Sequence, residues 1–291
     1  MNNYFNEITL PSHLKVPKLF KISMGLLHFV SKSITLPLIV KLFSTPRNFK
    51  IPKRELGMFN SAQKKKIYCT TIQKDIEVLS YGFSDKKVLL AHGWSGRATQ
   101  LFMIANHLLE QGYMVVSFDG PAHGNSTGKT TNLIEFIACV KTITEEFGPF
   151  TAGVGHSFGG LVLMNLQAKE KAFNCLVTIG TPDKVEDIFA NFTKNLGLPL
   201  TFSKKLIAYF ENKYAIKVAH KATSFVSANV NIKTLVVHDA LDGDVLVGSA
   251  LHIRKYLKKG RLYITHGLGH TKILRNKKVT EKIVTFIKRN S

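Results

Sequence analysis

Cysteine is scarce in this chain. Cys69, Cys139 and Cys175 lie far apart, are odd in number and form no Cys-x-x-Cys pair. That pattern excludes a disulfide framework and fits a reducing compartment, where such thiols pack as small apolar residues. Acidic residues are also few, 19 against 40 Lys and Arg, which leaves a formal charge of +21. A charge of that size draws nucleic acid, anionic lipid or acidic substrates. However, the sequence has no zinc-finger spacing, no aromatic RNA-binding signature and no basic heptad helix, so no specific nucleic acid partner is expected. Lysine recurs along the whole length, and much of the charge reads as solvated surface.

Also missing is any run of about 20 apolar residues of the kind that crosses a bilayer. Residues 14–43 are rich in Leu, Ile, Val and Phe but are broken by Lys15, Lys18, Lys21, Lys32, Lys41, Pro17 and Pro37. Two readings fit them: an amphipathic helix making peripheral contact with an anionic membrane, or a helix pair packed on the main domain. The first dozen residues are polar and include Glu7, unlike a secretory signal, and a cytoplasmic location is expected. The apolar stretch 22–30, preceded by lysines, points the other way. There is no repeat or low-complexity tract. Hydrophobic residues at 45% and charged residues at 20% are ordinary globular usage, and 291 residues suit one open-sheet domain with an insertion.

Residues 45–66 are basic and contain proline, and they read as a linker. The expected organisation is therefore a basic amphipathic segment and linker over 1–66, then a main domain over 67–291. Residues 67–72 and 76–81 have the pattern of a hairpin closed by Gly82, and 88–91 is a strongly apolar strand. Helical stripes and strand-length apolar runs then alternate. Strands fall at 113–118, 151–155, 173–179, 234–238 and 262–265. Helical spacing marks Leu101 to Leu109, Leu133 to Phe147, 161–167, 246–257 and the final stripe Val279, Ile283, Phe286 and Ile287. Such alternation makes βαβ units and a parallel sheet. The rhythm breaks at about 183–227, where two helical patterns form an inserted cap.

Four sequence features carry chemistry. Gly155-His156-Ser157-Phe158-Gly159 lies between an apolar strand and an apolar helix. A serine on so sharp a turn has a strained backbone, and glycines two residues either side avoid a collision. The helix that follows aims N–H groups at the site, where an oxyanion is stabilised. Ala91-His92-Gly93-Trp94-Ser95-Gly96 directly follows a strand and can supply a second N–H. Phe158 and Trp94 are the expected donors, with Ser95 as the alternative to Trp94. His238-Asp239-Ala240-Leu241-Asp242-Gly243-Asp244-Val245 ends another strand, where open α/β sheets place functional loops. It lacks a calcium-loop pattern and a second ligand group, so no metal is expected. Thr265-His266-Gly267-Leu268-Gly269-His270 precedes the last helix, and its glycines let a histidine reach over the sheet edge.

With the loop Asp119-Gly120-Pro121-Ala122-His123-Gly124-Asn125-Ser126, these segments resemble the landmarks of the α/β-hydrolase superfamily over about residues 67–287. The resemblance implies an α/β fold with a mostly parallel central sheet, flanking helices and a small helical cap insertion. It also implies a catalytic Ser157, a base His270 and, from an Asp-x-x-Val arrangement, the acid Asp242, with Asp239 and Asp244 as alternatives. The chemistry it implies is hydrolysis of an ester, thioester or related acyl bond through an acyl-enzyme, with no cofactor and a small-molecule acyl substrate. An acyltransferase and a membrane-surface lipid or peptide hydrolase use the same groups, and a non-catalytic binding module is the remaining reading. Substrate contacts are expected from Arg97, which can meet a carboxylate or phosphate, and from the cap aromatics Phe189, Phe192, Phe202, Phe210 and Tyr214.

Overall fold

The computed structural model describes residues 17–291. Expectations that fall on residues 1–16, including the start of the 14–43 segment, lie outside the described residues. Eight strands form one sheet: β1 (Gln63–Cys69), β2 (Lys74–Tyr81), β3 (Lys87–Ala91), β4 (Met114–Phe118), β5 (Phe150–His156), β6 (Phe173–Ile179), β7 (Lys233–Asp239) and β8 (Gly260–Thr265). Their spatial order is β1-β2-β4-β3-β5-β6-β7-β8. The β1–β2 hairpin is antiparallel and joins β4 antiparallel, and every pairing from β4 to β8 is parallel. The chain is thus an α/β fold of the mostly parallel kind that the sequence implied.

Side-chain alternation along the strands builds two cores. Leu89, Ala91, Val116, Phe118 and Leu176 point to one face, whereas Val88, Leu90, Val115, Val177 and Ile179 point to the other. The first face is covered by α5 (Leu133–Phe147), α6 (Phe158–Glu170) and α9 (Gly248–Tyr256). The second is covered by α4 (Phe102–Glu110) and α10 (Lys277–Lys288). Asn132 caps α5 by accepting from the N–H groups of Ile134 (2.9 Å) and Glu135 (3.2 Å). Helix α6 is buried continuously from Gly159 to Gln167, as a helix that is apolar on every side must be.

A third cluster forms above the carboxyl ends of the strands. The inserted helices α7 (Val185–Asn195) and α8 (Leu200–Tyr214) meet α1 (Lys18–Val30) and α2 (Lys32–Ser44) there. Met24 and Ile39 are buried with Phe189, Leu196, Phe202, Leu206 and Phe210. The two amino-terminal helices therefore pack on the cap and extend it.

Residues 45–66 differ from the expected linker. They carry a 3-10 turn at Lys53–Glu55, helix α3 (Leu56–Ser61) and the first residues of β1. Glu55, only 2% exposed, accepts from Arg97 Nε (2.8 Å), Arg97 Nη2 (3.2 Å) and Thr99 Oγ1 (2.8 Å). The Arg47 N–H donates to Ser95 Oγ at 2.9 Å, and just before the segment the last residue of α2 is held by the Thr131 N–H, which donates to Ser44 O at 2.8 Å. A basic, proline-containing composition hid these anchors, because each is one residue whose partner lies far along the chain.

Candidate active site

Strand order explains where the loops converge. The chain runs from β3 outward to β4 and then crosses back to β5, which pairs on the other side of β3. This reversal opens a crevice at the carboxyl ends of β3 and β5. The loop after β3 carries Trp94, and the turn after β5 carries Ser157.

Ser157 has φ 51° and ψ −118°, a conformation that costs an L-residue about 1–3 kcal/mol and that concentrates at functional sites. The surrounding glycines are required by contact. A Cβ on Gly155 would stand 2.5 Å from the Gly160 nitrogen, and one on Gly159 would strike the carbonyl oxygen of Ala91. Gly160 closes against Thr181 in the same way. The Ser157 N–H donates to Ile179 O at 2.8 Å, which ties the turn to β6.

The loop after β3 lies directly against this turn. A Cβ on Gly93 would meet Ser157 Cβ at 3.1 Å and His156 Nδ1 at 3.0 Å. Within it, the Ser95 N–H donates to His123 Nε2 at 3.0 Å and the Gly93 N–H to Gln100 Oε1 at 3.0 Å. The Gly96 N–H donates to Gly93 O at 2.9 Å. Among these four residues the Trp94 N–H is left over, and the Phe158 N–H at the start of α6 has no acceptor in its own helix. Ser95, the alternative to Trp94, has spent its N–H. Burial drives the His92 pKa down to about 4 and the His123 pKa to about 3. Both rings are thus neutral acceptors, His92 Nε2 for the Gly120 N–H at 2.9 Å and His123 for Ser95.

The two later loops meet beside Gly180, where a Cβ would stand 3.1 Å from His270 Nδ1 and 3.3 Å from Asp242 Oδ2. Asp242 Oδ2 lies 2.7 Å from His270 Nδ1, and Asp242 Oδ1 accepts from the N–H groups of Asp244 and Val245, each at 2.9 Å. Burial alone would raise the Asp242 pKa. The hydrogen bond and positive charge of His270 outweigh that and hold it below the usual carboxylate value. For His270, burial favours the neutral ring, but the bond to Asp242 and its charge raise the pKa above 6.5. Asp239 faces elsewhere. It accepts from Thr265 Oγ1 (2.7 Å), Leu268 N (3.0 Å), Gly267 N (3.2 Å) and Leu241 N (3.0 Å), so it shapes the loop that carries His270.

Two further histidines brace this pair. His156 Nε2 donates to the His270 carbonyl at 3.0 Å, with the ring centroids 4.7 Å apart. Burial, and then the nearby His270 charge, lower its pKa to about 3. His238 Nε2 donates to Val245 O at 2.8 Å and stands 3.5 Å from Asp242 Oδ2. Neither bracing role is marked in the sequence, because no spacing encodes a ring that donates to a backbone carbonyl.

Ser157, His270, Trp94 and Phe158 all border one cleft of about 1690 Å³. Its apolar wall includes Phe189, Phe192, Phe210 and Tyr214, together with Phe43 from α2. Phe43 stacks on Phe189 at 4.6 Å and meets Phe192 at 5.0 Å and Phe210 at 5.6 Å. Phe43 was not foreseen, since it precedes the other aromatics by more than a hundred residues. Phe202 departs from expectation: it is 2% exposed, lies edge-on to His28 and belongs to the packing beneath the wall. Arg97 borders the cleft, but Nε and Nη2 of its guanidinium are committed to Glu55.

A model of the alpha/beta hydrolase family matches residues 88–245. No curated protein matches by sequence. Solved structures match it in fold. An esterase of Pyrococcus furiosus is 20% identical, with 84% of this chain and 98% of that one covered and a TM-score of 0.64. A membrane phospholipase A described as a bacterial virulence factor is 16% identical, with 94% and 97% covered and a TM-score of 0.63. A bromoperoxidase of Bacillus anthracis is 16% identical, with 78% and 100% covered and a TM-score of 0.60. At these identities the likeness is one of fold.

Proposed function

We propose that this chain, which belongs to the alpha/beta hydrolase family, is a serine hydrolase that cleaves a carboxylic ester or related acyl bond. Fold alone does not choose the reaction, because an esterase, a phospholipase and a bromoperoxidase share it. The observation that carries the reading is the 2.7 Å bond between Asp242 and His270 at the edge of the cleft that Ser157 also borders. With Nδ1–H given to Asp242, His270 keeps Nε2 as a base. That nitrogen takes the Ser157 proton as Oγ attacks the acyl carbon. The N–H groups of Trp94 and Phe158 receive the oxyanion. His270 then protonates the departing alkoxide, and water repeats the sequence to release the acid. Asp242 holds the ring and offsets its charge in both steps. The aromatic wall of Phe43, Phe189, Phe192 and Phe210 suits an apolar acyl chain.

The test is a panel of nitrophenyl esters of increasing chain length, run on the wild type and on Ser157→Ala. A loss of at least about 10³-fold in kcat is expected for the variant. Equal hydrolysis by the two proteins sinks the assignment.

A further inference from the structure

Helix α1 presents an apolar stripe to solvent. Leu19, Ile22, Leu26, Phe29 and Val30 recur at helical spacing and are 77%, 59%, 61%, 86% and 80% exposed. The opposite side of the same helix is occupied, with Met24 buried and Leu27 packed in the cap cluster. A helix that only needed to cover the cap would be polar on its outer side. Exposed apolar surface arranged in one stripe marks an interaction site.

The charge around the stripe identifies what covers it. Between Glu7 and Glu55 the sequence has no Asp or Glu, while Lys18, Lys21, Lys41, Arg47, Lys50 and Lys53 all fall in that interval. The turn between α7 and α8 meets α1 where Gly197 backs onto Lys21, and the exposed Lys194, in the last turn of α7, and Leu200, at the start of α8, stand on either side of it. Bulky apolar side chains flanked by lysines, without acids, complement a surface that is greasy beneath and negative above. A second copy of this chain would set the same basic segments against each other. No helix among the described residues is long and apolar enough to cross a membrane, which leaves insertion into one face of it.

We propose that α1 docks on an anionic bilayer through Leu19, Ile22, Leu26, Phe29 and Val30. The cleft opens beside this helix, where Pro17 and Phe20 are part of its rim. A lipid acyl ester thus enters the cleft from the bilayer side. This last step rests on the hydrolase reading above, whereas the docking does not.

The full chain is sedimented with vesicles of phosphatidylcholine alone and of phosphatidylcholine with phosphatidylglycerol. The wild type and Ser157→Ala are expected to bind the anionic vesicles equally. Leu26→Ser with Phe29→Ser should weaken that binding by about tenfold or more, with soluble nitrophenyl ester hydrolysis unchanged and hydrolysis of a vesicle-embedded ester lost. Leu19→Ser, at the other end of the stripe, is an independent variant that removes binding even if the double variant folds poorly. Wild type that stays in solution with both vesicles, or stripe variants that sediment as the wild type does, overturns the docking. A wild-type dimer that the stripe substitutions dissolve overturns it too, by making a second copy the occupant. Equal losses on soluble and embedded ester overturn delivery from the bilayer. Failure of the hydrolase reading is distinct, appearing as equal ester hydrolysis by wild type and Ser157→Ala.

Discussion

The floor and the roof of the cleft are held by different forces. At the floor, every loop is fixed by short polar contacts to specific atoms: Asp242 to His270, Asp239 to the His270 loop, His156 to the His270 carbonyl. At the roof, α1, α2, α7 and α8 meet through aromatic and aliphatic packing. Directed contacts join the two as well: Asn132 Nδ2 donates to the Tyr214 hydroxyl of α8 and the Thr131 N–H to Ser44 O of α2, and the segment that leads from α2 into the sheet is held by Glu55 to Arg97 and Thr99 and by Arg47 to Ser95. Hydrogen-bonded positioning tolerates little displacement, as a proton transfer requires. Apolar packing is non-directional and accepts substitutions of similar volume. On the proposed reading, chemistry belongs to the floor, and choice and entry of substrate belong to the roof.

The sharpest way to break this contrast is at the floor. Asp242→Asn is expected to lower kcat on a nitrophenyl ester by about 10⁴-fold, because the wrong histidine tautomer is then held. Asp239→Asn should cost much less activity, since that carboxylate touches only the loop. Similar losses in the two variants would erase the distinction drawn between them.

Next in size is the anchor of the segment that joins the roof to the sheet. Glu55→Ala strands Arg97, whose side chain is 15% exposed in a pair whose carboxylate side chain is 3% exposed. The expected destabilisation is about 3 kcal/mol, read as a lower denaturation midpoint. An unchanged midpoint would mean that this segment is held without the pair.

The pH profile tests the floor in a gentler way. Burial favours neutral His270, but Asp242 raises its pKa above 6.5, so the protonated, inactive ring persists to a higher pH than an isolated histidine would allow. The value of kcat/KM should therefore fall about tenfold per unit as pH drops below a midpoint above 6.5. A midpoint below 6.5 would mean that burial wins over the carboxylate.

The smallest effect is expected at the roof. Phe43→Ala removes one ring from the aromatic wall and should lower kcat/KM for long-chain esters by about three- to tenfold, with short-chain esters unaffected. A uniform loss across chain lengths would place Phe43 in positioning the floor.

Much of this was legible in the residues, because the governing interactions are local or periodic. Alternating apolar spacing marks the sheet and its helices. The glycines around Ser157 mark a turn that only they can close, and the order of Ser157, Asp242 and His270 follows the order of the strands that bear them. What the sequence left open turned on contacts between distant segments. Which aspartate faces His270, and whether Trp94 or Ser95 keeps a free N–H, depended on partners such as Thr265 and His123 that no spacing encodes. The same holds for the anchoring of 45–66 by Glu55 and for the place of Phe43 beside Phe189. Local pattern determined the elements and the turn at Ser157. Only the strand crossing and the packing of four helices above it decided which groups share the cleft.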